Sequence, residues 1–220
     1  PAFAAARKHG IRLIVPADLL YSKDGSLPGM DDDPLAKLIA CAGRDAIYGV
    51  LSFDEPADVS GVSEQAAAAV QARVKQVDPT LPVLMVHAPI VLDKPQFASE
   101  AQRASYLQRV KAYSRHADVV GFDIYPVTPQ LAQIGSPASN GAIVSHDAAF
   151  RDYMAWLKRE IPDRKYMMVL QGFAYADQYD AALLAQVPAE MRALARAPTT
   201  DEALEMARIS ADGGASLLVW

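Results

Sequence analysis

"YGVLSFDEPADV", Tyr48 to Val59, opens as an almost unbroken apolar run and stops at two adjacent carboxylates and a proline. An apolar run of this length without polar alternation is the pattern of a parallel strand buried on both faces. "IRLIV", "PVLMVH", "DVVGFDIY", "KYMMVLQGF" and "ASLLVW" repeat it along the chain. Helical patterns separate these six runs. "AFAAARKH" is closed by Gly10 as a C-terminal cap, and Asp33-Pro34 starts a helix as capping acceptor and first helical residue. Ser63 opens "SEQAAAAVQARVKQV". Ser99 with Gln102, and Thr199 with Glu202, have capping-box spacing.

Helix faces follow from the 3.6-residue period. Leu107, Val110 and Ser114 form one stripe, with Tyr106 and Tyr113 beside it. Phe150, Met154 and Leu157 share a face in the helix that starts at Ser145 or Asp147. Leu204, Ala207 and Ala211 share one in the helix that Gly213-Gly214 closes. Strands alternating with helices define an α/β fold. Two architectures fit: a (β/α)8 TIM barrel with strands 3–8 present, or an open doubly wound parallel sheet. The first strand is followed by "VPADLLYSKDGS", with neither GxGxxG nor a P-loop, which favours the barrel. Residues 1–220 then form one domain lacking the first two strands, and both chain ends look like cuts.

The composition narrows the function. The chain has 220 residues, is 51% apolar and carries a net charge of −5. That suffices for a full core, and without a basic run it excludes nucleic acid as the expected partner. No apolar stretch reaches the ~20 residues of a membrane span. The lone Cys41 excludes an internal disulfide and reads as a small buried helix residue. No GxSxG is present, no cofactor is expected, and Met167-Met168 reads as core. A secreted or periplasmic location is expected over a cytoplasmic one. The oligomeric state is left open.

In α/β folds of both kinds, function gathers at the carboxyl ends of the strands. Those ends carry Asp18, then Ser52, Asp54 and Glu55, then His87, Asp123 and Tyr125, Gln171 with Phe173 and Tyr175, and Trp220. Carboxylates, amides and aromatic rings together suit a polyol: rings stack on the CH face of a sugar, and polar groups bond its hydroxyls. The segment after the fifth run, with Tyr175, Asp177 and Tyr179, is a long excursion that could wall such a site.

"YGVLSFDEP" resembles the fourth strand of (β/α)8 glycoside hydrolases of the clan A type, which ends in DEP or NEP with the Glu as general acid/base. "DVVGFDIYPV" is similar to the sixth strand of β-galactosidase-like members. "MMVLQGF" is similar to the seventh strand, "GGASLLVW" to the eighth, and "KHGIRLIVPADL" to the third with its preceding helix. The resemblance implies hydrolysis of glycosidic bonds in an oligo- or polysaccharide, with Glu55 as acid/base and a carbohydrate as the partner. It implies a chain missing two strands at its start. Adjacent strand residues face opposite sides, so Glu55 facing inward turns Asp54 outward.

The chain departs from the pattern where a nucleophilic Glu is expected, because Gln171 stands there. Asp123 is the best visible second carboxylate, and Asp54, His87, Tyr125, Gln171 and Trp220 are the expected sugar contacts. Two alternatives stay open. One is a non-catalytic carbohydrate-binding barrel. The other is a metal-dependent hydrolase centred on His87, Asp123 and Glu55, although no HxH or HExxH spacing supports it.

Overall fold

The computed structural model describes residues 2–58, 61–127, 133–178, 181–186 and 188–220. Its strands are β1 (Leu13–Pro16), β2 (Ile47–Leu51), β3 (Val83–His87), β4 (Ile90–Val91), β5 (Val119–Ile124), β6 (Ile134–Gly135), β7 (Lys165–Leu170) and β8 (Ala215–Val219). Its helices are α1 (Ala2–Lys8), α2 (Pro34–Ala42), α3 (Glu64–Val77), α4 (Glu100–Ser114), α5 (His146–Glu160), α6 (Ala181–Gln186), α7 (Ala189–Leu194) and α8 (Thr200–Asp212).

Six strands form one sheet in the order β1-β2-β3-β5-β7-β8. The pairs β1/β2, β2/β3 and β7/β8 are parallel. The order never reverses, whereas a doubly wound sheet reverses at its switch point. The doubly wound alternative is therefore excluded. The fold is α/β, with the sequential strand order of an incomplete (β/α)8 barrel. β4 and β6 pair separately as a short antiparallel ribbon, with Ile90 opposite Gly135 and Val91 opposite Ile134. Runs this short leave no periodic signal in sequence.

The chain divides into two compact units. One comprises Pro1–His87 with Arg109–Val120, the other Ala88–Gln108 with Gly121–Trp220. In the first, every residue of β3 is buried, and α3 turns Ala66, Ala67, Val70 and Val74 inward. Asp33 caps α2 as its sequence position predicts, accepting hydrogen bonds from the Leu35 and Ala36 amides at 2.9 and 3.0 Å. It is also fully buried. Its second oxygen accepts from Arg73 Nη1 at 2.7 Å, and the Tyr21 hydroxyl stands 3.2 Å from the first. A buried carboxylate is tolerated only when it is bonded this fully. Arg73 also reaches Pro28 O at 2.8 Å, so one ion pair ties the loop after β1 to α2 and α3. Cys41, expected to be buried, is exposed on α2.

In the second unit, Ser145 caps α5, and Phe150, Met154 and Leu157 are buried together as their spacing predicts. Phe122 of β5 meets this helix edge-to-face, with ring centroids 4.6 Å from Tyr153 and 5.8 Å from Trp156. The Tyr153 hydroxyl accepts from Ile90 N at 2.7 Å and donates to Gly135 O at 2.8 Å, holding both strands of the ribbon. Burial and the nearby Asp123 and Asp152 charges push its pKa far up, so it stays a donor. The capping boxes at Ser99–Gln102 and Thr199–Glu202 both form. On α8 the expected face is out of phase. Met206, Ile209 and Ser210 are buried, whereas Leu204 is 63% exposed. Alanines at 203, 207 and 211 weaken the periodic signal, and the packing of Met206 and Ile209 sets the face.

The stripe expected on α4 is buried throughout, from Tyr106 and Leu107 to Val110, Tyr113 and Ser114. Met167 and Met168 lie in the core of β7 as expected. Among the described residues, no helix is long and apolar enough to cross a membrane.

Among the glycines of the second unit, Gly121 is the most closely approached. A Cβ built there would lie 1.9 Å from Met167 O on β7. We expect Gly121→Ala to destabilise the protein by more than about 3 kcal/mol, because the obstacle is backbone and cannot rotate aside. The midpoint of urea unfolding checks this.

Candidate functional site

In the first unit, β2 ends at Leu51, and Ser52 to Asp58 turn away from it. The strand alternation used to orient Asp54 against Glu55 therefore does not extend to them. Asp54 is exposed and Glu55 half-buried. Glu55 has φ +42°, a left-handed conformation that a side chain with a Cβ adopts at a cost of about 1–3 kcal/mol. Pro56 follows, and a residue before proline ordinarily takes an extended conformation. Asp58 N donates to Glu55 O at 3.0 Å within the turn, and Arg109 Nε on α4 donates to Ala57 O at 3.1 Å.

His87 ends β3 fully buried. The Ser114 hydroxyl spends its hydrogen on Val110 O at 2.7 Å, so it can only accept from His87 Nε2, 3.1 Å away. This fixes the ring as the neutral Nε2–H tautomer. Desolvation pushes its pKa down to about 3. As placed, the ring meets α4 rather than solvent. Among the described residues, no group of three or more His, Cys, Asp or Glu side chains is arranged to hold a metal ion.

In the second unit, Phe122 takes the face of β5 that meets α5, so Asp123 takes the other, and Tyr125 follows one residue after the strand ends at Ile124. Tyr125 meets Phe173 edge-to-face at 4.9 Å, and Phe173 meets Tyr175 likewise at 5.3 Å. The three half-buried rings form a row at the carboxyl ends of β5 and β7. Trp220, after β8, is 59% exposed and packs beside Gly172, whose absent Cβ would lie 3.7 Å from the Trp220 Cβ. Phe173 and Tyr175, both among the aromatic residues that the sequence places at the end of the fifth strand, join Tyr125 in this row. Tyr179 lies outside the described residues.

Gln171 is fully buried, and its amide is engaged with backbone. Oε1 accepts from Val127 N at 2.9 Å, and Nε2 donates to Val127 O at 3.0 Å and Phe173 O at 3.1 Å. The side chain thus imitates a strand partner for Val127 and leaves no donor for a sugar.

No protein-family profile matches the chain, and no curated protein matches it. Solved structures do. A Bacteroides thetaiotaomicron protein with a provisional alpha-L-fucosidase assignment superposes with TM-score 0.55 at 11% identity, over 99% of this chain and 62% of that one. An active-site mutant of Rhizomucor miehei beta-1,3-glucanosyltransferase, in complex with laminaritriose, gives 0.52 at 12% identity, over 99% and 68%. A GH2 beta-galacturonidase from Eisenbergiella tayi, bound to galacturonate, gives 0.50 at 11% identity, over 99% and 34%. The fold is shared with glycoside hydrolases of several kinds. The chain spans less than two thirds of the length of the first of these proteins and about a third of the galacturonidase.

The burial of His87 sets a pH dependence. Its folded pKa of about 3 lies below the ordinary value of 6.5, so the unfolded chain takes up a proton that the folded chain refuses. We expect this contribution to be fully present above pH 6.5 and lost as pH falls toward 3. Urea midpoints measured between pH 7.5 and about 4 should fall less steeply in His87→Gln, which keeps a donor toward Ser114 and does not titrate.

Proposed function

We propose that the chain is the sugar-processing part of a glycoside hydrolase-type barrel that cleaves glycosidic bonds in an oligo- or polysaccharide. Glu55 is the proton donor, and Asp123 is the second carboxylate. Tyr125, Phe173, Tyr175 and Trp220 supply ring faces for the sugar. The observation that carries the reading is Glu55 itself: a half-buried residue at positive φ in a turn held by the Asp58 N and Arg109 Nε hydrogen bonds. Strain of that kind persists where a side chain must be aimed, and protonating a leaving group needs a carboxyl positioned toward it. The aromatic row supports a carbohydrate ligand, and the fold shared with glycoside hydrolases is compatible with the chemistry. The resemblance of "YGVLSFDEP" to clan A strands belongs to the same proposal.

A carboxyl pair separated by about 5 Å retains anomeric configuration, and one separated by roughly 6.5–9.5 Å inverts it. The anomer first released from an aryl glycoside, read by NMR, assigns the stereochemistry. The second reading is a barrel that binds carbohydrate without cleaving it. It is favoured by Gln171, which stands where a nucleophilic Glu is expected and spends its amide on backbone.

The test is a panel of aryl glycosides together with laminaritriose and galacturonate, the sugars bound by two structural neighbours. Glu55→Gln should lower hydrolysis at least ~100-fold while leaving binding intact. Turnover equal to wild type would sink the assignment of Glu55. Binding without turnover in the wild type would select the second reading. Glu55→Gly removes both the carboxyl and the Cβ that opposes positive φ. It should abolish hydrolysis while holding or raising stability by about 1 kcal/mol, a trade expected where backbone strain serves function.

A further inference from the structure

We propose that Gln171 is a positioning residue: its amide clamps the Tyr125–Val127 segment to the end of β7 and so holds the Tyr125–Phe173–Tyr175 row as a preformed surface for stacking a sugar ring. The inference rests on the carbohydrate reading above and gives this position a role other than substrate ligand. Three hydrogen bonds carry it. Two bracket the Val127 peptide, two residues beyond Tyr125, and the third holds Phe173 O. The two backbone segments that the amide joins are the two that carry the rings 4.9 Å apart. Gln171 is fully buried, so no water replaces these bonds. Rigid, pre-aligned rings stack on a ligand without an ordering cost at the moment of binding. A Glu at this position would set a carboxylate against two carbonyl oxygens, so the amide is what the geometry requires.

The clamp has a signature that simple bulk does not. An ionised Glu can accept from Val127 N and can donate to neither carbonyl. A protonated Glu accepts from Val127 N and donates to Val127 O, recovering two of the three bonds. Burial raises the folded pKa of such a Glu above the ordinary ~4.3 of the unfolded chain. Its stability is therefore fully present below ~4.3 and lost as pH rises through the folded value.

We expect Gln171→Glu to lower Tm by about 5–10 °C relative to wild type at pH 7.5, with the deficit shrinking at pH 4.5. Hydrogen exchange at pH 7.5 should quicken in the peptides spanning 121–127 and 171–175 and stay unchanged across β2. Laminaritriose affinity should fall about as far in Gln171→Glu as in Tyr125→Ala, with the double variant no worse than either single one. Gln171→Ala should show the same exchange pattern without the pH recovery.

A pH-independent deficit in Gln171→Glu, or exchange that quickens across the whole chain, would overturn the clamp. Additive losses of affinity would overturn its link to the rings. If the wild type binds no sugar of the panel, the carbohydrate reading fails. The stability and exchange measurements then still decide the clamp.

Discussion

Much of the second unit depends on one contact, the approach of the Gly121 backbone to the Met167 carbonyl. Any side chain at 121 would occupy the space that carbonyl takes. With hydrogen there instead of a Cβ, β5 and β7 come close enough for the end of β7 to reach the segment after β5. The Gln171 amide then meets the Val127 peptide, and the Phe173 ring meets Tyr125. On the other face of β5, Phe122 is free to enter the cluster with Tyr153 and Trp156. Within β5, Asp123 faces away from the side on which Phe122 anchors the core.

The first unit solves a different problem. Its loops carry polar groups that a core would reject, and each is held by a partner distant in sequence. Asp33 is buried against Arg73, 40 residues away, and the turn at Glu55 is braced from α4 by Arg109, 52 residues from its partner Ala57. Local preference opposes that turn, since a residue before proline favours extended backbone. Where local and global preferences conflict and the fold keeps the conflict, function is the usual reason. The His87–Ser114 contact belongs to the same set of long-range braces, and desolvation keeps the imidazole neutral inside the core.

The readable features were local ones. Capping boxes at Ser99 and Thr199 and the caps at Asp33, Ser63 and Ser145 depend on residues within three positions, and all formed. The apolar runs became strands, buried throughout in β3 and only partly in β1 and β8. The misplaced features failed for equally local reasons. The α8 face was blurred by alanines, and Cys41 carries no directional signal. Alternation holds inside β2 and does not reach Asp54 and Glu55, which lie beyond its end at Leu51. The β4/β6 ribbon rests on a tyrosine hydroxyl more than 60 residues from Ile90, a distance at which spacing says nothing.

The sequence by itself determined the succession of strands and helices, their caps, and the carboxylates, amide and rings gathered at strand ends. Residue type and short-range spacing encode these directly. Tertiary structure alone decided the order of strands in the sheet, the positive φ of Glu55, the burial of His87 against Ser114, and the engagement of Gln171 with Val127. Each of these depends on groups brought together across tens of residues, by packing that no local window contains.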